Sequence, residues 1–364
     1  MNKINKTKHK FPYEWTLKDA NFTKDKGTVF SCFACGGGST MGYKLAGFDV
    51  LGCNEIDPKM IEAYKVNHKP KYAYLEPIQT FKLRKDLPKE LYNLDILDGS
   101  PPCSSFSMAG NREKDWGKEK KFREGQAEQV LDNLFFDFID LAKELQPKVV
   151  VAENVKGLLL GNAKEYVRNI YKTFDEANYY CQHWLLDASK MGVPQRRERV
   201  FFVCLRKDLA EPFLYQQDMF TVNPKLELNF NEPNIPFKEI KTKCNDRLLK
   251  KDTTIYKTWT LRQEGDKDMS CTQAREYNKP NKLFSYNYIY DKNVLNTITA
   301  KDCNVYFREP RYMNIKENCK AGTYPLDYDF ISNQPHYLIG MSVPPVMTAQ
   351  IATKIYEQWL ERLK

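Results

Sequence analysis

The amino-acid sequence predicts an α/β fold, in which a doubly wound, mostly parallel sheet is joined to a second, smaller and irregular domain. Over the first 207 residues, short apolar runs alternate with segments of helical periodicity, which is typical of parallel sheets with helices on both faces. The run 148–152 is apolar throughout after its lysine, as expected for a strand covered on both faces. After Lys207 this periodicity is lost. A chain of 364 residues is long enough for two domains.

The individual elements follow from hydrophobic spacing. The clearest helix is 126–145, because apolar side chains recur along it at helical intervals until Pro147 ends it. The predicted strands are 28–33, 49–54, 94–97, 148–152, 179–186 and 200–205. The predicted helices are 39–46, 58–67, 126–145, 163–177 and 348–363.

The domain boundaries follow from the change in composition. We predict a larger domain of residues 28–207 and 323–364, a second domain of residues 208–322, and a flexible basic leader of residues 1–27. The span 241–310 carries 14 Lys/Arg and 9 Asp/Glu, with aromatic residues between them. That mixture suits contact with a nucleic-acid backbone and stacking on bases. It is equally compatible with an irregular solvated domain.

Composition limits the classes of function. The formal net charge of +9 favours a polyanionic partner. No apolar run reaches the roughly 18 residues of a membrane span, and no apolar segment follows the lysine-rich start, so neither an anchor nor a secretory signal is predicted. The ten cysteines form no regular framework, which predicts reduced thiols and a cytoplasmic protein. Cys32 and Cys35 lack a second pair or nearby histidines, so no metal site is predicted.

The most informative local feature is the run 98–107, in which Pro101 and Pro102 precede Cys103 at the end of a short predicted strand. Proline fixes φ and has no N–H, so this backbone forms a rigid loop in the crevice where open α/β sheets bind ligands. A nucleophile is useful only when it is held in place. Cys103 is therefore either a nucleophile or a buried cysteine beside a tight turn, and the local sequence leaves both open.

The turn from the first strand to its helix reads Phe33-Ala-Cys-Gly-Gly-Gly-Ser39. Glycines let the backbone approach a ligand closely, and a helix N-terminus favours a carboxylate or a phosphate. Glu55 closes the second strand about 19 residues after Gly36, where a Rossmann-like fold holds an acid against a ribose diol. Together these features predict a cofactor that contains a nucleoside.

Two further clusters carry charge. Glu153 follows the buried run 148–152, where partial desolvation raises the pKa of a carboxyl group and lets it hold a proton. Residues 195–199 read Gln-Arg-Arg-Glu-Arg, and alternation along an extended segment places Arg197 and Arg199 on one face. Taken singly, each cluster is also explained as a surface acid at a turn or as a solvated run of charges.

The order of these motifs resembles that of the DNA cytosine-5 methyltransferases of bacterial and phage type, including those of restriction-modification systems. The order is glycine turn, acid, Pro-Pro-Cys, Glu-Asn-Val, Gln-x-Arg-x-Arg, variable basic region and Gly-x-x-Val-Pro-Pro, and it covers residues 28–362. The segments 296–300, 311–317 and 323–328 are similar to the family's elements around its target-recognition domain. The resemblance implies an S-adenosylmethionine-dependent methyltransferase fold. It also implies methyl transfer to carbon 5 of a flipped-out cytosine in a specific double-stranded DNA sequence.

The resemblance also implies roles for individual residues. Cys103 would add to carbon 6 of cytosine, Glu153 would hold ring nitrogen 3 and supply its proton, and Arg199 would bind the carbonyl oxygen at carbon 2. The adenine of S-adenosylmethionine would lie among Phe33, Ile56 and Ile78, and the ribose on Glu55. The implied cofactor contacts are Phe33, Ala34, Gly36, Gly37, Gly38, Glu55, Ile56, Ile78, Asp98, Pro101 and Ser342. The implied DNA contacts are Ser107, Gln195, Arg197, Thr297 and Thr299, with Ser107 and Arg197 on phosphates.

The implied partners are double-stranded DNA and a restriction endonuclease that acts on the same site. The chain itself is expected to be a monomer, with no membrane and no metal involved. It departs from the family pattern at Cys35 in place of a glycine, Pro77 in place of an aspartate that contacts adenine, Ser104 in place of a glutamine, and Met341 in place of an asparagine. The cofactor site is therefore expected to bind its ligand differently or less tightly.

Three alternative functions are weighed against this one. A transfer RNA methyltransferase of the same family is disfavoured by the long insert after Lys207 and by the lack of a Cys-Phe-Thr signature. A catalytically silent DNA-binding relative is disfavoured because Cys103, Glu153 and Arg199 are all present. A nicotinamide-dependent dehydrogenase would explain Glu55 but would give Pro-Pro-Cys and Gln-x-Arg-x-Arg no role.

Overall fold

The computed structural model describes residues 8–102, 133–160, 163–216, 222–243, 246–277, 283–301 and 303–363, with the backbone of 119–120 and 129–130. It confirms the predicted fold class, because helices pack on both faces of a seven-stranded sheet. Cys103, Ser104 and Ser107 lie outside the described residues.

The large sheet winds outwards in two directions from its first strand. The strands, in chain order, are β1 (Thr28–Cys32), β2 (Asp49–Glu55), β3 (Tyr72–Leu75), β4 (Ile96–Gly99), β5 (Glu119–Lys120), β6 (Gln129–Val130), β7 (Val149–Val155), β8 (Tyr179–Asp187), β9 (Glu198–Arg206), β10 (Leu214–Gln216), β11 (Val222–Pro224), β12 (Asn287–Ile289) and β13 (Asn304–Tyr306). The sheet has the order β3-β2-β1-β4-β7-β9-β8. Its strands are parallel from β3 to β7, whereas β9 is antiparallel to both β7 and β8. The direction of winding changes between β1 and β4, and ligands bind at such a point in doubly wound folds.

Helices cover both faces of the sheet, so that an apolar layer lies on each face. They are α1 (Gly38–Leu45), α2 (Pro58–His68), α3 (Ile78–Phe81), α4 (Leu134–Leu145), α5 (Ala163–Glu176), α6 (Phe237–Ile240), α7 (Thr254–Thr260), α8 (Met269–Tyr277), α9 (Ile315–Ala321), α10 (Pro335–Met341) and α11 (Pro345–Gln358). Helices α3, α4 and α5 cover one face of the sheet, and α1 and α11 cover the other. None of the helices in the described residues is both long and apolar enough to span a membrane.

Two predicted helices differ at their ends. The helix expected from residue 126 begins at Leu134, and Gln129–Val130 pairs antiparallel with Glu119–Lys120 instead. Pairing with a distant segment leaves no trace in local periodicity, so the predicted start was wrong. The last helix begins earlier than predicted, at Pro345, because proline suits the first turn of a helix.

Residues 8–26, which we call the N-terminal strap, cross the C-terminal part of the larger domain. Its apolar side chains pack on the layer formed by α1 and α11 and on a further apolar cluster around α10; they are Phe11, Tyr13, Trp15, Leu17, Ala20 and Phe22. His9 pairs with Glu232 at 2.8 Å, and Lys26 N–H donates to the Gly47 carbonyl at 3.0 Å. These residues are therefore not the flexible leader that the lysine-rich start predicts.

Residues 247–312, which we call the smaller domain, have a compact apolar centre of their own. It contains α7, α8 and the parallel pair β12–β13, and its buried side chains are Leu249, Met269, Tyr288, Val305 and Phe307. The preceding residues 226–240 pack instead on the apolar core of the larger domain, through Leu226, Leu228, Ile235, Phe237 and Ile240. The smaller domain is therefore more compact than the range 208–322 suggests.

Candidate active site

The glycine turn lies at the carboxyl end of β1, where the winding of the sheet changes direction. Its backbone takes left-handed conformations, with φ values of 53° at Phe33, 50° at Cys35 and 84° at Gly37. Such values strain any residue that has a Cβ, which is a physical reason for the glycine that the resemblance leads one to expect where Cys35 stands. Cys35 is held in this conformation in part by its N–H, which donates to the Glu55 carboxylate at 2.7 Å.

The turn is also packed closely by the C-terminal part of the chain. A Cβ at Gly36 would lie 2.4 Å from Cδ2 of Leu338, and a Cβ at Gly38 would lie 2.3 Å from the Val343 carbonyl oxygen. Real Cβ atoms do not approach heavy atoms so closely. Residues 338–343 therefore form one wall of the turn, and glycine is the residue that this wall permits.

Ser342 lies in this wall with its hydroxyl already engaged. The hydroxyl donates to the Leu338 carbonyl at 2.8 Å and accepts from the Tyr324 hydroxyl at 2.6 Å. The Cys35 sulfur lies 3.8 Å from the same Ser342 oxygen. Burial raises the pKa of the Cys35 thiol to about 12, and the carboxylate of Glu55 adds to the rise. Cys35 is therefore a structural thiol of the turn rather than a nucleophile.

Glu55 ends β2 and joins the glycine turn to the start of α2. Besides the N–H of Cys35, its carboxylate accepts the N–H groups of Ile56 and Asp57, each at 2.9 Å. Burial raises the pKa of Glu55, and the backbone donors oppose this rise. Three backbone hydrogen bonds fix the carboxylate, yet two oxygens with four lone-pair directions can still accept from a further donor.

The side chains around this carboxylate fit a nucleoside. Phe33 and Ile56 are partly buried at the same edge of the sheet, while Ala34 and Ile78 are buried beside them. Phe33 packs edge-on against Phe138 at 6.3 Å between ring centroids. A nucleoside needs apolar surface for its base and, next to it, a fixed hydrogen-bond acceptor for its ribose hydroxyls, and this site has both.

Asp98 lies one residue before the end of β4, and its side chain is buried in the core rather than directed to the open crevice. Its carboxylate accepts the Ser31 hydroxyl at 2.7 Å and the Tyr43 hydroxyl at 3.1 Å. Burial raises the pKa of Asp98 to about 7, hydroxyl donors oppose the rise, and the charge of Glu153 adds to it. The predicted cofactor contact of Asp98 thus becomes a buried link between β1, β4 and α1.

Replacing Asp98 by asparagine is expected to flatten the pH dependence of stability. The pKa of the wild-type carboxyl is near 4 in the unfolded chain and about 7 in the fold. The unfolded state therefore loses its proton first, and the free energy of unfolding falls as pH rises from about 4 to about 7. Between pH 5 and pH 8 the wild type should lose roughly 2 kcal/mol more than the variant. Urea unfolding at several pH values measures this; parallel curves for the two proteins would contradict it.

Glu153 and Arg199 come together from neighbouring antiparallel strands. Glu153 lies near the end of β7 and Arg199 near the start of β9, and Nε of Arg199 is 2.9 Å from Oε1 of Glu153. The two side chains are 12% and 16% exposed. A guanidinium and a carboxylate are thus held side by side at the carboxyl edge of the sheet, with little water around them.

The loop that leads to Cys103 is anchored by the residue after Glu153. Asn154 is buried, and its side-chain amide donates to the carbonyl of Pro101 at 3.2 Å. Pro101 is the last buried residue before the described part of this loop ends at Pro102. The Glu-Asn-Val and Pro-Pro-Cys motifs are therefore joined directly.

Gln195 and Arg197, predicted to contact DNA, are buried in the protein. Gln195 donates to the Ala321 carbonyl at 2.8 Å and accepts the Ile298 N–H at 3.0 Å. Arg197 is 2% exposed and donates to the carbonyls of Ile298 at 3.0 Å and Gly340 at 3.1 Å. Their polar atoms tie the start of β9 to Ile298 within the smaller domain and to Ala321 and Gly340 after it, so in this structure they do not face a phosphate.

Thr297 and Thr299 lie within the smaller domain, on the segment between β12 and β13. The Thr297 hydroxyl donates to the Arg196 carbonyl at 2.7 Å. Thr299 is exposed, and its hydroxyl donates to the Lys301 carbonyl at 3.3 Å. This segment runs beside Gln-Arg-Arg-Glu-Arg, with the Arg196 N–H on the Leu295 carbonyl at 2.8 Å.

A cleft of about 1020 Å³ opens between Arg196 and the smaller domain. Lysine and arginine outnumber acids along it, and four asparagines add amide groups. The charged and amide residues of its lining are Arg196, Lys238, Lys241, Glu264, Asp266, Lys267, Asn287, Asp291, Lys292, Asn293, Asn296, Asn304 and Arg308. Within the part of the chain that the structure describes, no group of three or more His, Cys, Asp or Glu residues is arranged to hold a metal ion.

Sequence reasoning missed the aromatic hydroxyls that support the turn. The Tyr328 hydroxyl donates to the Gly36 carbonyl at 2.6 Å, and Nε2 of His68 lies 3.1 Å from the same oxygen. Both side chains are buried. Tyr328 belongs to the segment 323–328, but nothing in the spacing of that segment shows that it reaches a turn almost 300 residues earlier.

Comparison with known proteins gives consistent matches. The model of the family C-5 cytosine-specific DNA methylase matches residues 27–357. The chain is 38% identical over 181 residues to the Type II methyltransferase M.FnuDI of Fusobacterium nucleatum, covering 50% of this chain and 47% of that protein. It is 25% identical over 352 residues to the Type II methyltransferase M.NgoFVII of Neisseria gonorrhoeae, covering 93% of this chain and 89% of that protein. The first match thus spans about half the length of that relative.

Solved structures show the same fold at low sequence identity. A DNA modification methyltransferase encoded within an E. coli prophage superposes with a TM-score of 0.61 at 20% identity, covering 91% of this chain and 99% of that one. A mutant of Spodoptera frugiperda DNMT2 gives a TM-score of 0.61 at 18% identity, covering 90% and 99%. At these identities the likeness concerns the fold alone.

Proposed function

The chain belongs to the C-5 cytosine-specific DNA methylase family, and from this premise we propose that it methylates carbon 5 of a flipped-out cytosine in a specific double-stranded DNA sequence. The methyl donor would be S-adenosylmethionine. The observation that carries the proposal is the Glu153–Arg199 pair, which joins two of the three predicted catalytic residues at 2.9 Å beside the anchored loop that leads to Cys103.

The chemistry requires activation of the ring, because carbon 5 of cytosine is a poor nucleophile. The Cys103 thiolate would add to carbon 6, and the electron pair of the 5,6 double bond would then be available at carbon 5. Glu153 would hold ring nitrogen 3 and supply a proton there, so that negative charge does not accumulate on the ring. Arg199 would donate to the carbonyl oxygen at carbon 2 and keep Glu153 in position. After methyl transfer, loss of the proton at carbon 5 would release Cys103.

The cofactor would lie at the glycine turn and, when bound, supply the methyl group. Glu55 would accept its ribose hydroxyls, while Phe33, Ile56 and Ile78 would line its adenine. The backbone of the turn from Ala34 to Gly38 would receive the methionine part, near the N-terminus of α1. Pro101 and Ser342 would border the site from the Cys103 loop and from the wall of the turn.

A methylation assay on defined substrates tests this function. The purified chain is incubated with tritiated S-adenosylmethionine and either mixed-sequence duplex DNA or transfer RNA, and bisulfite sequencing locates the product. We expect 5-methylcytosine at one sequence in the duplex. Label on transfer RNA only would assign the chain to RNA, and label on an exocyclic nitrogen would contradict the Cys103 mechanism.

We propose that the smaller domain recognises the target and that the cleft beside Arg196 contacts DNA phosphates. Replacing Lys292, an exposed lysine of this cleft, by glutamate should weaken duplex binding and make it less dependent on salt, because each lysine that neutralises a phosphate adds roughly one to the slope of log K against log salt. Fluorescence anisotropy at several salt concentrations measures both quantities.

The matched control for this prediction is Lys85→Glu. Lys85 is also exposed, but it pairs with Glu144 in the last turn of α4, at the amino edge of the sheet. It should leave the salt dependence unchanged. Equal losses in Lys85→Glu and the cleft variant would mean that only net charge matters, and the cleft would then lose its role.

The Type II relatives suggest how the activity is used. We propose that a restriction endonuclease that cleaves the same sequence accompanies this chain, and that both act in the cytoplasm. Expression of the chain should then protect DNA from that endonuclease in a digestion assay.

A further inference from the structure

We propose that the N-terminal strap supports the cofactor site from outside it, because it positions the glycine turn through residues 323–328. The inference rests on the proposed function, since it assumes that S-adenosylmethionine binds at the turn. It assigns a positioning role to Trp15, Asp327 and Tyr328, none of which has a predicted contact with the cofactor.

The strap grips residues 323–328 at both ends. The indole N–H of Trp15 donates to the Thr323 carbonyl at 2.9 Å, and the Trp15 carbonyl accepts the Leu326 N–H at 2.8 Å. The Asp327 carboxylate then accepts two successive strap N–H groups, those of residues 17 and 18, at 2.7 Å and 3.0 Å. Trp15 is 8% exposed, so its indole hydrogen bond is protected from competition with water, whereas the two bonds to Asp327 are exposed.

Residues 323–328 in turn hold the glycine turn. The Tyr328 hydroxyl donates to the Gly36 carbonyl at 2.6 Å, and the Tyr324 hydroxyl donates to Ser342, in the wall of the turn, at 2.6 Å. Both tyrosines are buried, and their rings pack edge to face at 5.2 Å between centroids. Tyr328 follows Asp327 directly in the chain. A shift of the strap would therefore move Asp327 and the adjoining Tyr328, and with them the Gly36 carbonyl to which the Tyr328 hydroxyl donates.

Two strained residues explain why this support is needed. Thr323 has a φ of 54° and Cys35 a φ of 50°, and such conformations persist only where surrounding contacts fix them. The strap bonds the carbonyl of the first, and Glu55 bonds the N–H of the second. A glycine at position 35 would adopt this conformation freely. The strap therefore compensates for the departure of this chain at Cys35.

The experiment measures binding of S-adenosylhomocysteine to the full chain by isothermal titration calorimetry. Trp15→Phe removes the indole donor and keeps an aromatic ring, and Tyr328→Phe removes the hydroxyl donor to Gly36. Each should weaken binding by about 2- to 10-fold, the range expected for one lost hydrogen bond. The turnover number at saturating cofactor and the KM for DNA should stay at their wild-type values, because neither side chain touches the reacting atoms.

A double-mutant cycle distinguishes positioning from general stability. If Trp15 acts through Tyr328, the double variant should lose less affinity than the product of the two single losses. In a Cys35→Gly background, Trp15→Phe should have a smaller effect, since the glycine no longer needs support. Lys10→Ala is the control: it removes the exposed strap pair with Glu357, far from residues 323–328, and should bind as the wild type does.

The outcomes separate the two proposals. If Trp15→Phe lowers the melting temperature but binds S-adenosylhomocysteine as the wild type does, or if the single losses simply multiply, the strap is structural only and the inference is overturned. Asp327→Asn, which keeps one acceptor for the strap, gives the same test if Trp15→Phe does not fold. A wild-type chain that methylates DNA while these variants keep full affinity defeats the strap alone; a wild-type chain that fails to bind the probe defeats both proposals.

Discussion

Replacing Cys103 by serine is expected to abolish methyl transfer while the fold is kept. Serine has nearly the same size, but its hydroxyl is a far weaker nucleophile than a thiolate at neutral pH. The loop itself should be unaffected, because Asn154 holds it through the backbone of Pro101 and not through the cysteine. Incorporation of tritiated methyl groups into duplex DNA measures the loss, and circular dichroism checks the fold.

A second cysteine supplies the control for this prediction. Cys271 is a partly exposed free thiol in α8 of the smaller domain, and Cys271→Ser should keep wild-type activity. A target duplex that carries 5-fluorocytosine should also trap a covalent adduct with the wild type and with Cys271→Ser, but not with Cys103→Ser. Near-normal turnover by Cys103→Ser would contradict the proposed mechanism.

The sequence predicted the parts of the site that are encoded in short segments. Periodicity located β1, β2 and β7 to within a few residues, because each strand is a short apolar run bounded by turn residues. The topology then brings the glycine turn and Glu55 to one edge of the sheet, since the carboxyl ends of parallel strands lie side by side. The spacing predicted that Glu55 belongs to the same site as the glycine turn, and in the structure the N–H of Cys35 donates to the Glu55 carboxylate at 2.7 Å.

What the sequence could not show are contacts between distant parts of the chain. Alternation placed Arg197 and Arg199 on one face, but it could not show that Arg197 would be covered by segments about 100 and 140 residues later. Burial, and then the nearby charge of Arg199, lowers the pKa of Arg197 to about 9. An exposed phosphate contact and a buried tie between segments have the same local sequence, so only the fold distinguishes them.

The lysine-rich start was misjudged for a related reason. The charge of residues 1–10 predicts a flexible leader, yet aromatic residues within the strap, above all Trp15, hold residues 8–26 on the protein. Burial of one such side chain stabilises the packed conformation by roughly 25 cal/mol per Å² of apolar surface. This gain exceeds the cost of holding an exposed lysine in the same segment. Aromatic residues at irregular spacing give no periodic signal, so they were overlooked.

Replacing Glu153 by glutamine is expected to slow methyl transfer by about 10²- to 10⁴-fold, the contribution typical of a positioned proton donor. Glutamine is isosteric and can still accept from Nε of Arg199, so the 2.9 Å contact and the fold should persist. What is lost is the proton that the carboxyl group delivers to ring nitrogen 3. Single-turnover rates with pre-bound duplex measure the chemical step directly.

The neighbouring acid on β9 makes a matched control for Glu153. Glu198 is exposed and pairs with Lys156 at 2.8 Å, on the side of the strand away from Arg199, and Glu198→Gln should change the rate by less than about 2-fold, as expected for an exposed pair. An undiminished rate in Glu153→Gln would remove Glu153 from catalysis. A rate that falls only as far as duplex affinity falls would assign Glu153 to binding of the base and not to proton transfer. Both variants remove one negative charge, and they do so from adjacent strands, so a difference between their rates cannot be attributed to net charge. Such a difference measures the proton transfer to ring nitrogen 3, for which Glu153 alone of the two is placed.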